Sequence, residues 1–165
     1  MPVKPVRRLP DRVLKVPSDE LASVKVAESL ITDLIDTMRA SPACVGLAAP
    51  QLGVSARAFV IDVSAHPKSS ISHGLIAMIN PTILEWDGRE VGREGCMSVP
   101  DLTANVSRWT RVVIQGDTQD GRRVIETRGF EARAFQHEID HLDGLLILDR
   151  VASLATDVFR RKVYR

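Results

Sequence analysis

The chain has 165 residues, 44% of them hydrophobic and 26% charged, which suits a globular protein built as one domain over residues 1–165. A formal net charge of +1 excludes a general DNA binder, because no basic excess is available to neutralise phosphates. No apolar run is long enough for a membrane span and no signal-type stretch follows the basic start, so a cytoplasmic protein is the expectation.

Residues 1–17 read as an extended arm, since Pro2, Pro5, Pro10 and Pro17 repeatedly oppose helix. From about Ser18, Ala27, Leu30, Ile31, Leu34, Ile35 and Met38 recur at three- and four-residue steps, the stripe of an amphipathic helix. Ser18 or Asp19 could cap its start, and Ser41-Pro42 closes it. Cys44 to Gly53 is small and apolar with one amide, Gln51, which needs either a local hydrogen-bond partner or a role in a site. Arg57 to Val63 has the composition of a buried strand.

Ser64 to Gly74 reads as a surface loop whose two histidines, His66 and His73, are solvated. Leu75 to Glu85 is a strand interrupted at Asn80-Pro81. Asp87-Gly88 then signals a turn into another strand running toward Glu94-Gly95-Cys96-Met97-Ser98-Val99-Pro100. Arg111 to Gln115 and Arg122 to Arg128 form a hairpin around Asp120-Gly121. A helix follows from about Phe130 and stops at Gly144. Leu145 to Leu148 reads as a short buried strand and Val151 to Arg165 as a last helix. The order gives an α+β fold: mainly antiparallel sheets packed around a central helix, with a flanking N-terminal helix.

That central helix carries His137-Glu138-Ile139-Asp140-His141, the pattern H-E-x-x-H. Residues four apart on a helix stand one turn above each other, so His137 and His141 can grip one metal ion while Glu138 reaches a water beside it. Phe135, Ile139 and Leu142 fall on the far side, where they can anchor the helix in a core. The bland alternative is a pair of ordinary polar histidines. A metal needs a third ligand, and no His or Glu follows His141, which leaves Asp143, Asp149 and Asp157 downstream. Upstream, Cys96 is the better candidate, since a thiolate suits borderline divalent metals. A buried, inert cysteine is the other reading of Cys96. With one position left open, two imidazoles and a thiolate would make a catalytic rather than a structural centre.

Three stretches together resemble one family. Val45-Gly46-Leu47-Ala48-Ala49-Pro50-Gln51, Glu94-Gly95-Cys96-Met97-Ser98 and Gln136-His137-Glu138-Ile139-Asp140-His141-Leu142-Asp143-Gly144 are similar, in order and spacing, to the signatures of peptide deformylases; Arg8-Leu9-Pro10-Asp11 and the early helix extend the likeness. The resemblance implies a metal held by Cys96, His137 and His141, most often Fe²⁺, with Ni²⁺, Co²⁺ or Zn²⁺ as substitutes. It implies removal of the N-formyl group from the first methionine of N-formyl-methionyl nascent peptides, releasing formate. Glu138 would be the general base, and Gln51 with the backbone N–H of Met97 would face the oxyanion. Val45, Gly46 and Gly95 would offer backbone groups to a peptide lying as an added strand, and Glu94 would pair with Arg108. Gln136 would only support the helix. The basic run Arg160-Arg161-Lys162 is the one candidate contact with the ribosome. The chain departs from the family at Cys44, where Gly is usual, and at Met97, where Leu is common. Two alternatives remain: a silent homologue that binds peptide or metal, for which Cys44 speaks, and an amidase or peptidase with another substrate.

Overall fold

The computed structural model describes residues 3–162. Helix α1 is Glu28–Ala40 and helix α2 is Gly129–Leu142. The strands are β1 (Gly46–Ala48), β2 (Ala58–Ile61), β3 (Ile76–Cys96), β4 (Val99–Thr118), β5 (Gly121–Arg128) and β6 (Val158–Arg160). They form one antiparallel six-stranded sheet in the order β1-β2-β3-β4-β5, with β6 pairing on β4. Among the described residues, no helix is long and apolar enough to cross a membrane.

β2 explains the layering. Its four residues, Ala-Phe-Val-Ile, are all buried because both faces are covered. Phe59 and Ile61 face α2 and pack with Met78, Ile114, Phe135, Ile139 and Leu142. Ala58 and Val60 face α1 and pack with Leu34, Met38, Leu47 and Ile79. Phe59 meets Phe135 edge-on at 5.8 Å, a pair contributing on the order of 1 kcal/mol beyond its burial. Helix α2 is thereby clamped by its apolar side, and its polar side is left for His137, Glu138 and His141.

Several expectations are corrected. Helix α1 starts ten residues later than Ser18, and turns occupy the stretch before it. Ser18 is instead tied down elsewhere: its hydroxyl and its N–H both donate to the Leu142 carbonyl. The N-terminal arm is not wholly extended, since Arg12–Lys15 closes a 3-10 turn that buries Leu14; Pro2 lies outside the described residues. Asp87-Gly88 makes no turn. The ladder runs through it, Asp87 opposite Arg111 and Arg89 opposite Trp109, with Gly88 at φ +68 where a Cβ would strike the Thr110 side chain. The break at Asn80-Pro81 is a bulge inside β3, between the Ile79 and Thr82 pairings. The true hairpin turn is Met97-Ser98, which pairs Cys96 with Val99.

Further on, Leu145 to Leu148 is not a strand. Its apolar residues instead enter a 3-10 turn, Ile147–Asp149, whose start is held by the Asp149 carboxylate accepting from the Leu146 N–H at 2.8 Å. The tail is not helical over its described part: Val158–Arg160 pairs with Leu102 to Ala104 and covers an edge of β4. The two loop histidines are engaged rather than solvated, since His66 stacks on Phe130 at 4.2 Å and His73 pairs with buried Glu131.

Candidate metal centre

Three elements deliver the donors. Helix α2 presents His137 and His141 one turn apart, their rings 5.1 Å between centroids. Cys96 ends β3 at the Met97-Ser98 turn, which aims its sulfur at the helix. The ligating atoms of Cys96, His137 and His141 lie within 4.8 Å of one another, with Cys96 Sγ 3.4 Å from His141 Nε2. The short helix Ala49–Leu52 supplies Gln51. Gln51 Oε1 accepts from the Ala48 N–H at 3.0 Å, while Nε2 donates to Ser98 Oγ at 3.2 Å and faces Cys96 Sγ at 3.7 Å. The amide has both a local partner and a place in the site.

These residues fit a metal ion. His137 Nδ1 is held by Glu94 Oε1 at 2.8 Å, the outer tie that fixes a ligating imidazole and leaves its other nitrogen facing inward. Among the described residues two buried polar atoms have no protein partner, Glu138 Oε2 and His141 Nδ1, and such atoms call for water or an ion. Burial resists charge on the Cys96 thiol, yet the imidazoles of His141 and His137 pull it well below its ordinary value, toward the thiolate that a metal takes. For His137, burial is outweighed by Cys96 and Glu94, and its pKa stands well above the usual value. Burial pushes the Glu138 carboxyl up, against the pull of His137 and His141.

A carboxylate–guanidinium network braces the centre from behind. Arg108 donates to both oxygens of Glu94, each at 2.9 Å, and also to Asp140. Arg133 donates to Glu94 at 2.6 Å, and Arg150 donates to Asp140 at 2.8 and 3.0 Å. Burial would raise the Glu94 pKa, but His137 and Arg108 hold it well below the carboxylate range. Gln136 stitches helix to strand by accepting from the Trp109 N–H and donating to the Trp109 carbonyl, both at 2.8 Å.

In front lies an open cavity of about 620 Å³, lined among others by Val45, Gly46, Gln51, Gly95, Cys96, Met97, His137 and Glu138. Every expected site residue except His141 is on this surface, and His141 stands behind Cys96 with 1% of its surface exposed. The cavity lies between two strand edges, β1 and the end of β3, neither paired on that side among the described residues. The Val45 carbonyl is taken by the Asp62 N–H at 2.8 Å, so strand alternation turns the Gly46 backbone to the open side. A Cβ at Gly46 would come 2.7 Å from Glu138 Oε1, so any larger residue there obliges the Glu138 carboxylate to shift. Cys44 donates its thiol to the Gly46 carbonyl at 3.1 Å, and burial pushes that thiol up to about 12, so it stays a neutral donor.

Sequence reasoning missed Asp140, Arg133, Arg150 and Ser98. Arg133 had a signal: it precedes His137 by one helical turn and shares its side.

An antiparallel α+β fold holding one thiolate, two imidazoles and a neighbouring glutamate beside an open slot defines a class, the hydrolases with a single metal centre. Residues 3–157 match the family model described as polypeptide deformylase. A peptide deformylase of Halothermothrix orenii is 41% identical over 160 residues, covering 96% of this chain and 99% of that protein. The peptide deformylase structure from Thermotoga maritima superposes with a TM-score of 0.81 at 37% identity, over 92% of this chain and 99% of that one. The class I type b enzyme from Acinetobacter baumannii, solved with Met-Ala-Ser bound, gives 0.81 at 31% identity, over 90% of this chain and 98% of that one. The chain belongs to the polypeptide deformylase family.

Proposed function

We propose that this chain, acting as one deformylase domain, hydrolyses the N-formyl group from the starting methionine of new polypeptides and releases formate. The carrying observation is the convergence of Cys96, His137 and His141 beside a buried Glu138 oxygen that no group among the described residues satisfies. The three would hold one divalent ion, Fe²⁺ in our assignment, with Ni²⁺, Co²⁺ or Zn²⁺ accepted by the same mixed donor set. When bound, such an ion polarises a carbonyl and readies a water for attack at neutral pH.

The remaining work belongs to the protein. Glu138 Oε2 takes the proton from the attacking water and returns it to the departing amine. Gln51 Nε2, oriented by Ala48 and Ser98, and the Met97 N–H face the oxygen that becomes negative. The open edges at Gly46 and Gly95 take the peptide as an added strand, which would hold the formyl carbon in one place. The methionine side chain enters the cavity between Val45, Phe130 and Ala134. Such a substrate appears where polypeptides are made, so the reading places the protein in the cytoplasm.

The test is formate release from a formyl-Met peptide compared with acetate release from its acetyl counterpart, using protein purified without oxygen and assayed for metal. We expect formate alone. Fully metallated protein that releases neither would overturn the reading.

A further inference from the structure

The outer face of the substrate edge carries two guanidinium groups that the chemistry above does not use. Gly95 on β3 pairs with Thr103 on β4, which pairs with Phe159 on β6, so these three positions share one face of the sheet. Arg93, two residues before Gly95, and Arg161, two after Phe159, fall on the same face. The contacts agree: the Arg93 guanidinium lies 3.7 Å over the Phe159 ring and donates to Asn105 Oδ1 at 3.0 Å. The Arg161 guanidinium rests where a Gly95 side chain would begin, and its backbone N–H donates to the Asp101 carbonyl at 2.9 Å. Both arginines line the cavity mouth, as does Lys68.

Nothing neutralises this pair within the described residues. The acids on the cavity wall are Glu94, already bound by Arg108 and Arg133, and the buried Glu138. Among the described residues no carboxylate comes within ion-pairing distance of Arg93 or Arg161, Asp101 included. Two cations are therefore held by an aromatic ring, neutral partners and a tight backbone approach, at the edge where the peptide is expected.

We infer that Arg93 and Arg161 form a subsite that reads a carboxylate on the second residue of the peptide, so that formyl-Met-Asp and formyl-Met-Glu chains are favoured substrates. The inference rests on the deformylase reading and adds to it. Side chains of an added strand alternate. With methionine directed into the cavity, on the side to which Cys96 turns its sulfur, the second side chain points to the opposite face. That is the face of Arg93 and Arg161.

The test compares kcat/KM for formyl-Met-Asp-Ser-amide, formyl-Met-Asn-Ser-amide and formyl-Met-Lys-Ser-amide on the metallated enzyme, at low and high salt. The expected result is Asp over Lys by roughly fivefold or more at low salt, with Asn between and the spread shrinking as salt screens the pair. Arg161→Gln and Arg93→Gln should each move the Asp-to-Lys ratio toward one, and Arg161→Lys should keep most of it. Formyl-Met-Ala-Ser as free acid and as amide forms the control for a chain-terminal carboxylate. Preference for that free acid without preference for Asp would overturn a second-residue subsite. A flat series on an enzyme that releases formate briskly would overturn the inference alone, whereas no formate from any peptide would overturn the deformylase reading with it.

Discussion

Two glutamates stand beside the same histidine, His137, and are treated in opposite ways. Glu94, on β3, is saturated by Arg108, Arg133 and His137. Glu138, on α2, is as deeply buried and has an oxygen with no partner among the described residues. A saturated carboxylate has no capacity left for a changing partner, so Glu94 can position but cannot react. An unsatisfied one raises the energy of the folded protein and persists where function needs it. On the proposed mechanism the contrast separates the residue that would build the centre from the one that would use it, although sequence places Glu94 only two residues before Cys96 and Glu138 directly after His137.

The sharpest way to break this contrast is Glu138→Gln. We expect kcat to fall on the order of 10²- to 10⁴-fold, with metal content and melting temperature kept or raised. A loss of metal or fold instead would make Glu138 a second brace. Arg108→Ala should do the reverse: it strips Glu94 and Asp140 of a buried partner together and should cost about 3–5 kcal/mol of stability. For a chain of this size that is a melting temperature lower by roughly 6–20 °C, measured by calorimetry. An unshifted transition would show that the network is ornamental.

Smaller changes sharpen the picture at the front of the site. Gly46→Ala places a methyl group against Glu138 Oε1 and should lower kcat on the order of tenfold without loss of metal. Unchanged turnover would mean that the carboxylate moves freely. Cys44→Gly removes the thiol that occupies the Gly46 carbonyl, and we expect KM to fall about two- to threefold with kcat unchanged. A higher KM would make Cys44 a substrate contact and not a competitor for one.

The parts of the molecule legible in the sequence were those governed by local periodicity or by a fixed set of side chains. The helix carrying H-E-x-x-H, the buried strand at Ala58 to Ile61 and the approach of Cys96 to the two histidines all belong there. What was not legible depends on pairing at a distance. Asp87-Gly88 has the composition of a turn, but the ladder to Arg111 and Trp109 carries the strand straight through it. Met97-Ser98 lacks the Gly, Asn or Asp that marks a two-residue hairpin turn and yet turns, because Cys96 and Val99 pair across it. The last segment carries weak local preference, and the open edge of β4 decides that it becomes a strand. Asp140 looked like a spacer in the motif and proved to be a buried anchor for Arg108 and Arg150.

The central claim is that one ion is shared by a thiolate from a hairpin tip and two imidazoles from a helix. X-ray absorption on zinc-loaded protein from a preparation shown to release formate tests it most directly. We expect one sulfur at about 2.3 Å and two nitrogens at about 2.0–2.1 Å, with the sulfur shell absent in Cys96→Ser. A shell of nitrogen and oxygen alone in the unaltered protein would contradict it.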